Sequence, residues 1–116
     1  KEGFDSTKLI ALGYSNGANI AGSTLILYPN FLSGAILFRP MLPYKQMPNF
    51  KTKKNVSVFL SSGISDSMVS SSEIKFYKEL LDKNNFATEL HQLNVGHNLT
   101  QEDILLAIKW TQNLVK

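Results

Sequence analysis

Three side chains suited to acyl transfer stand in order along the sequence: Ser15 in "GYSNGANIA", Asp66 in "GISDSMV" and His97 in "NVGHNLT". A serine hydroxyl is a weak nucleophile at neutral pH and needs a base within hydrogen-bond reach. Histidine can take that proton and later return it to a leaving group. A carboxylate on the far side of the imidazole fixes its tautomer and stabilises the imidazolium. Ser15 lies within Gly13-Tyr14-Ser15-Asn16-Gly17, a Gly-x-Ser-x-Gly pattern. Taken alone, that pattern arises by chance in roughly one chain of this length in twenty-five. Its placement is more informative, because an apolar run, "KLIAL", precedes it and a helix-compatible run, "NIAGSTLILY", follows. A nucleophile turn is strained, and side chains at Gly13 and Gly17 are expected to collide with the neighbouring strand and helix. The backbone N–H of Asn16, at the helix start, is expected to face a developing oxyanion.

The elements that must hold these residues can be read from the hydrophobic pattern. Residues 7–12, "TKLIAL", read as a short buried strand, and residues 16–28 as an apolar helix stopped by Pro29. Small residues Ala18, Ala21 and Gly22 would let that helix pack close to a sheet. Residues 34–38, "GAILF", form a second strand, and residues 56–62, "VSVFLSS", a third, with a loop holding Pro40, Pro43 and Pro48 between them. Ser70 and Glu73 make a capping box for a helix whose apolar face carries Ile74, Tyr77, Leu80 and Leu81. Residues 87–93, "ATELHQL", suit an edge strand. The last helix begins near Thr100, with Glu102 and Asp103 at the positive end of its dipole and Lys116 at the negative end. Its apolar face is expected to be Ile104, Ala107, Ile108 and Thr111. Alternating strands and helices imply a parallel sheet with right-handed crossovers, and chemistry just beyond the carboxyl ends of its strands. Ser15 follows the first strand, Asp66 the third and His97 the fourth, the chain order that α/β-hydrolases use. Asp66 could instead be an ordinary turn residue and His97 a loop or capping residue. His91 lies inside the edge strand and reads as structural or surface.

The composition narrows the class. With 116 residues, 43% hydrophobic and 18% charged, the chain suits one globular domain with one core. It holds no cysteine, which excludes disulfides, thiol catalysis and Cys-based metal sites. No apolar run reaches membrane-spanning length and no secretory signal opens the chain, which suggests the cytoplasm. The net charge of +3 is spread out, and its one cluster, "KTKK" at 51–54, suits a solvated loop. A basic nucleic-acid-binding module is the weakest reading, because no aromatic-plus-basic stacking pattern accompanies that cluster.

The blocks "ALGYSNGANIAGSTL", "GAILFRPMLP", "GISDSMV" and "GHNLTQEDI" together resemble the phospholipase/carboxylesterase family of α/β-hydrolases. The resemblance is closest to small bacterial carboxylesterases that include enzymes linked to hydroquinone resistance. It implies a serine carboxylic-ester hydrolase acting on a small ester through an acyl-enzyme, with Ser15 as nucleophile, Asp66 as acid and His97 as base. No metal or cofactor is implied. Family members often carry Pro directly after the acid, where this chain has Ser67. Arg39, Met41 and Leu42, after the second strand, and Met68, in the acid loop, are expected to line a substrate pocket; core packing is the alternative for the Met and Leu side chains.

Members of the family have some two hundred residues, so the resemblance implies that residues 1–116 are the C-terminal part of one α/β-hydrolase domain. About four strands with flanking helices would be present, without the early strands and the loop that gives the second oxyanion donor. The first strand, central in a full sheet, would then be an exposed edge, open to pairing with a second copy or a complementary half. The competing reading is accordingly a truncated, inactive half-domain that acts by such pairing.

Overall fold

The computed structural model describes residues 9–42, 52 and 56–114. Its elements are β1 (Ile10–Tyr14), α1 (Asn16–Leu27), β2 (Gly34–Phe38), β3 (Val56–Gly63), α2 (Ser71–Lys83), β4 (Phe86–Leu93) and α3 (Gln101–Leu114). The strands lie in the order β1-β2-β3-β4, and every neighbouring pair is parallel. This is the expected α/β architecture, with β4 at one edge and β1 at the other.

Period-two alternation divides the sheet residues between two cores. Ala35, Leu37, Val56, Val58 and Leu60 face α1 and α2, where they meet Ala18, Leu25, Ile74 and Leu81. Ile36, Phe38 and Phe59 face the other way and pack with Ala107 and Trp110 of α3. The two central strands are covered on both sides, which explains the unbroken apolar run of β2 and the burial of every β3 residue except Ser57. The Ser70 hydroxyl accepts from the Glu73 N–H at 3.1 Å, so the helix start signalled by the sequence is capped as expected.

Element boundaries shift by a residue or two, and one helix face differs from the sequence reading. β1 runs on through Gly13 and Tyr14, because these residues pair with Leu37 and Phe38 of β2. Residues 7 and 8, Pro43, Pro48, the lysines of "KTKK" and Lys116 lie outside the described residues. On α3 the buried residues are Asp103, Ala107 and Trp110, whereas Ile104 and Ile108 are 40% and 48% exposed. Trp110 sets this rotation by packing against Phe59, with ring centroids 5.9 Å apart. Ile104 and Ile108 then line an apolar groove of about 340 Å³, together with Leu12 and Tyr14 of β1, Phe38 and Leu99.

Candidate active site

Ser15 occupies the single residue between β1 and α1. Its N–H donates to the Phe38 carbonyl at 2.9 Å, and its own carbonyl accepts from Asn19 N–H at 3.0 Å. A chain that must satisfy the sheet on one side and a helix on the other has almost no freedom. Ser15 accordingly sits at φ 57°, ψ −112°, a region that non-glycine residues rarely adopt. A Cβ on Gly13 would strike backbone atoms of Gly17 and Ala18, so the strand can meet the helix start only with glycine there. Gly17 differs from expectation: a Cβ there would meet no described atom within 4 Å. It faces open space, and crowding does not account for it.

The loops after β3 and β4 are laced together beyond the end of the sheet. Ile64 N–H donates to Leu93 O at 2.8 Å and Ser65 N–H to Val95 O at 3.0 Å. A Cβ on Gly63 would strike the carbonyls of Val95 and Gly96, so this glycine lets the two loops approach. The result is one hydrogen-bonded line. Asp66 Oδ2 lies 2.7 Å from His97 Nδ1, and His97 Nε2 lies 3.0 Å from Ser15 Oγ. The second Asp66 oxygen, Oδ1, accepts from Met68 N–H at 2.8 Å, which folds the loop around its own carboxylate.

The electrostatics set the direction of this line. Burial on its own would raise the Asp66 pKa. The hydrogen bonds from His97 and Met68, and the positive fields of His97 and Arg39, outweigh it and hold the carboxyl below its ordinary value. An ionised carboxylate only accepts, so His97 Nδ1 carries the proton. In the neutral ring Nε2 is then bare and can accept from the Ser15 hydroxyl.

The remaining residues singled out from sequence fall in several places. Asn16 opens α1, where backbone N–H groups have no acceptor within the helix. Met41 is half-buried, with its N–H donating to Asn19 Oδ1 at 2.9 Å. Leu42 packs against the core shared by α1 and α2, and its N–H donates to Glu73 Oε2 at 3.1 Å. Met68 is 56% exposed beside the acid loop. His91 is on β4, bonded to Glu89 at 2.7 Å and lying against the Phe59 ring.

Arg39 is buried rather than open to a cleft. Its guanidinium donates to the carbonyls of Gly96 and Asn98, to Ser61 Oγ and to both oxygens of Asp103. Asp103 was legible only as a helix-start charge, and it proves to be fully buried. Tyr14 also escaped sequence reasoning; its hydroxyl donates to the His97 carbonyl at 3.1 Å and its ring lies 5.7 Å from the imidazole. Its position beside the serine was the only signal.

A parallel sheet with its polar chemistry gathered at the carboxyl ends of the strands puts this molecule in the class of α/β-hydrolases. The family model for phospholipase/carboxylesterase matches residues 1–115, and the chain belongs to that family of hydrolases. It is 32% identical over 114 residues to the putative hydrolase MhqD of Bacillus subtilis, covering 97% of this chain and 56% of that protein. The carboxylesterase of Bacillus cereus superposes with a TM-score of 0.89 at 40% identity, over 95% of this chain and 51% of that one. YahD, solved with malic acid, superposes with a TM-score of 0.81 at 31% identity, over 95% of this chain and 53% of that one. The chain thus spans about half the length of these relatives. Among the described residues, no helix is long and apolar enough to cross a membrane.

Proposed function

We propose that the chain carries the reacting residues of a serine carboxylic-ester hydrolase, with Ser15, His97 and Asp66 as its triad. The observation that carries this reading is the continuous line from Asp66 through His97 to Ser15, at 2.7 Å and 3.0 Å. Ser15 Oγ attacks the ester carbonyl carbon while His97 Nε2 takes the hydroxyl proton. The carbonyl oxygen becomes an oxyanion facing the N–H of Asn16. Collapse breaks the bond to the alcohol oxygen, which receives the proton from Nε2 and departs, leaving an acyl-serine. Water then attacks that acyl group with Nε2 again as base, releasing the acid and restoring Ser15. Throughout, Asp66 holds the imidazole and stabilises its charged form.

The substrate class is a small carboxylic ester. The chain spans about half the length of its relatives, and this reading assigns the second oxyanion donor to a part outside the 116 residues. One missing donor slows such a reaction on the order of a hundred- to a thousandfold. A fluorophosphonate probe tests the triad, with the labelled residue located by peptide mass. Labelling at Ser15, abolished in Ser15→Ala, is expected; a folded chain that stays unlabelled, or is labelled elsewhere, refutes the assignment.

A second reading concerns the open edge. β1 is an edge strand whose Leu12 is 66% exposed, in one groove with Ile104 and Ile108 of α3, both at least 40% exposed. An apolar edge of this kind pairs with further strands. In this reading the edge takes up a complementary half of the domain or a second copy. Sedimentation of the 116-residue chain tests it, and a monomer at high concentration rules out self-pairing.

A further inference from the structure

Arg39 is positioned like a clamp on the residue next to which it has no sequence reason to lie. It follows β2, yet its side chain reaches Ser61 of β3 and the loop that carries His97. Nε donates to Gly96 O at 3.1 Å, and Nη2 donates to Asn98 O at 3.0 Å. These are the carbonyls on either side of His97. Nη1 donates to Ser61 Oγ at 3.0 Å and Asp103 Oδ1 at 2.8 Å, and Nη2 also donates to Asp103 Oδ2 at 2.7 Å. A guanidinium has five N–H donors, and all five are used.

The far side of the clamp is equally fixed. Neither Arg39 nor Asp103 exposes its side chain to solvent. Ser61 hydroxyl donates to Asp103 Oδ1 at 2.6 Å, which ties the pair to β3. Asp103 Oδ2 accepts from Thr100 N–H at 2.9 Å and from the Thr100 hydroxyl at 2.7 Å, which ties the pair to the start of α3. Arg39 itself is held at φ 57°, outside the regions a non-glycine residue prefers, with its N–H on Ser61 O at 2.8 Å. Backbone strain of this kind persists where surrounding contacts over-determine it. A buried ion pair is a poor source of stability compared with apolar packing of similar volume, whereas it is a good source of fixed geometry.

We propose that Arg39, braced by Asp103 and Ser61, is the positioning residue that holds His97 between Asp66 and Ser15. Arg39 touches no reacting atom; it acts by fixing the backbone on both sides of the imidazole. Lysine cannot replace it, because one ammonium cannot bridge two carbonyls and a carboxylate. The proposal rests on the triad reading above.

Proton NMR of the 116-residue chain tests it through the His97 Nδ1–H resonance, which a strong bond to Asp66 shifts far downfield and protects from exchange. The resonance is assigned by its loss in His97→Ala. In Arg39→Lys the resonance should broaden away while the amide spectrum keeps its dispersion. The rate of fluorophosphonate labelling at Ser15 should fall about ten- to a hundredfold in parallel. Should Arg39→Lys fail to fold, the double variant Arg39→Met, Asp103→Leu removes both charges and leaves Gly96 and Asn98 without their donor; the same loss is expected there. An unchanged resonance in a folded variant overturns the role of Arg39 and leaves the triad standing. Absence of the resonance from the unsubstituted chain overturns the triad line, and this proposal with it.

Discussion

Asp66→Asn tests the electrostatic logic of the site with almost no change of shape. The two carboxylate oxygens have different tasks: Oδ2 takes the His97 Nδ1–H at 2.7 Å, and Oδ1 takes the Met68 N–H at 2.8 Å. An amide can serve only one of them. If its oxygen stays on Met68, its NH2 faces Nδ1, and the imidazole keeps a hydrogen bond only by moving its proton to Nε2. Nε2 then donates to Ser15 instead of accepting from it, and the base is lost. If the amide turns over, the Met68 N–H meets another donor and the loop opens. The analogous loss of tautomer control in serine hydrolases costs about a thousand- to ten-thousandfold in rate. At 1.36 kcal/mol per factor of ten, that is about 4 to 5.5 kcal/mol of activation free energy. The assay is the time course of fluorophosphonate labelling, followed by intact mass in the unsubstituted chain and in Asp66→Asn, with circular dichroism confirming the fold. A folded Asp66→Asn chain that labels within about tenfold of the original rate would refute the assignment of Asp66 as the group that sets the tautomer.

Gly13→Ala should destabilise the chain by about 3 kcal/mol or more in urea unfolding, because its Cβ would strike backbone rather than a movable side chain; a loss below about 1 kcal/mol contradicts this. Asp103 has its pKa lowered from 3.8 to about 2: burial opposes the shift, and hydrogen bonds from Arg39, Ser61 and Thr100 outweigh it. A depressed carboxyl stabilises the fold above its ordinary value, and this contribution, about 2 kcal/mol, should vanish as the pH falls from about 4 through about 2. Urea unfolding across that range should show the loss in the original chain and a shallower one in the Arg39→Met, Asp103→Leu variant; parallel curves contradict it. Leu12→Lys should reduce any self-association seen by sedimentation while leaving the fold intact, since Leu12 is 66% exposed on β1; unchanged association excludes the β1 edge as the contact.

The sequence disclosed what depends on local pattern. Apolar runs marked the strands, Ser70 and Glu73 marked the start of α2, and the two glycines around Ser15 marked the turn. The order of elements then brought Ser15, Asp66 and His97 to one end of a parallel sheet. What stayed hidden depends on contacts between distant residues. Arg39 looked like a pocket residue after a strand, because nothing in "FRPMLP" shows that its partners lie 22 to 64 residues further on. Asp103 looked like an ordinary charge at a helix start, although it also closes a capping box with Thr100 and balances a buried arginine. On α3, periodicity alone counts Ile104 and Ile108 as core. Trp110 decides the rotation instead, and those two residues face the open groove beside β1.

Hydrolysis of p-nitrophenyl acetate and p-nitrophenyl butyrate by the 116-residue chain, beside Ser15→Ala, shows whether Ser15, His97 and Asp66 act as one catalytic unit. The unsubstituted chain should hydrolyse both esters, and Ser15→Ala neither. Equal rates for the two chains, with both shown to be folded, would contradict this.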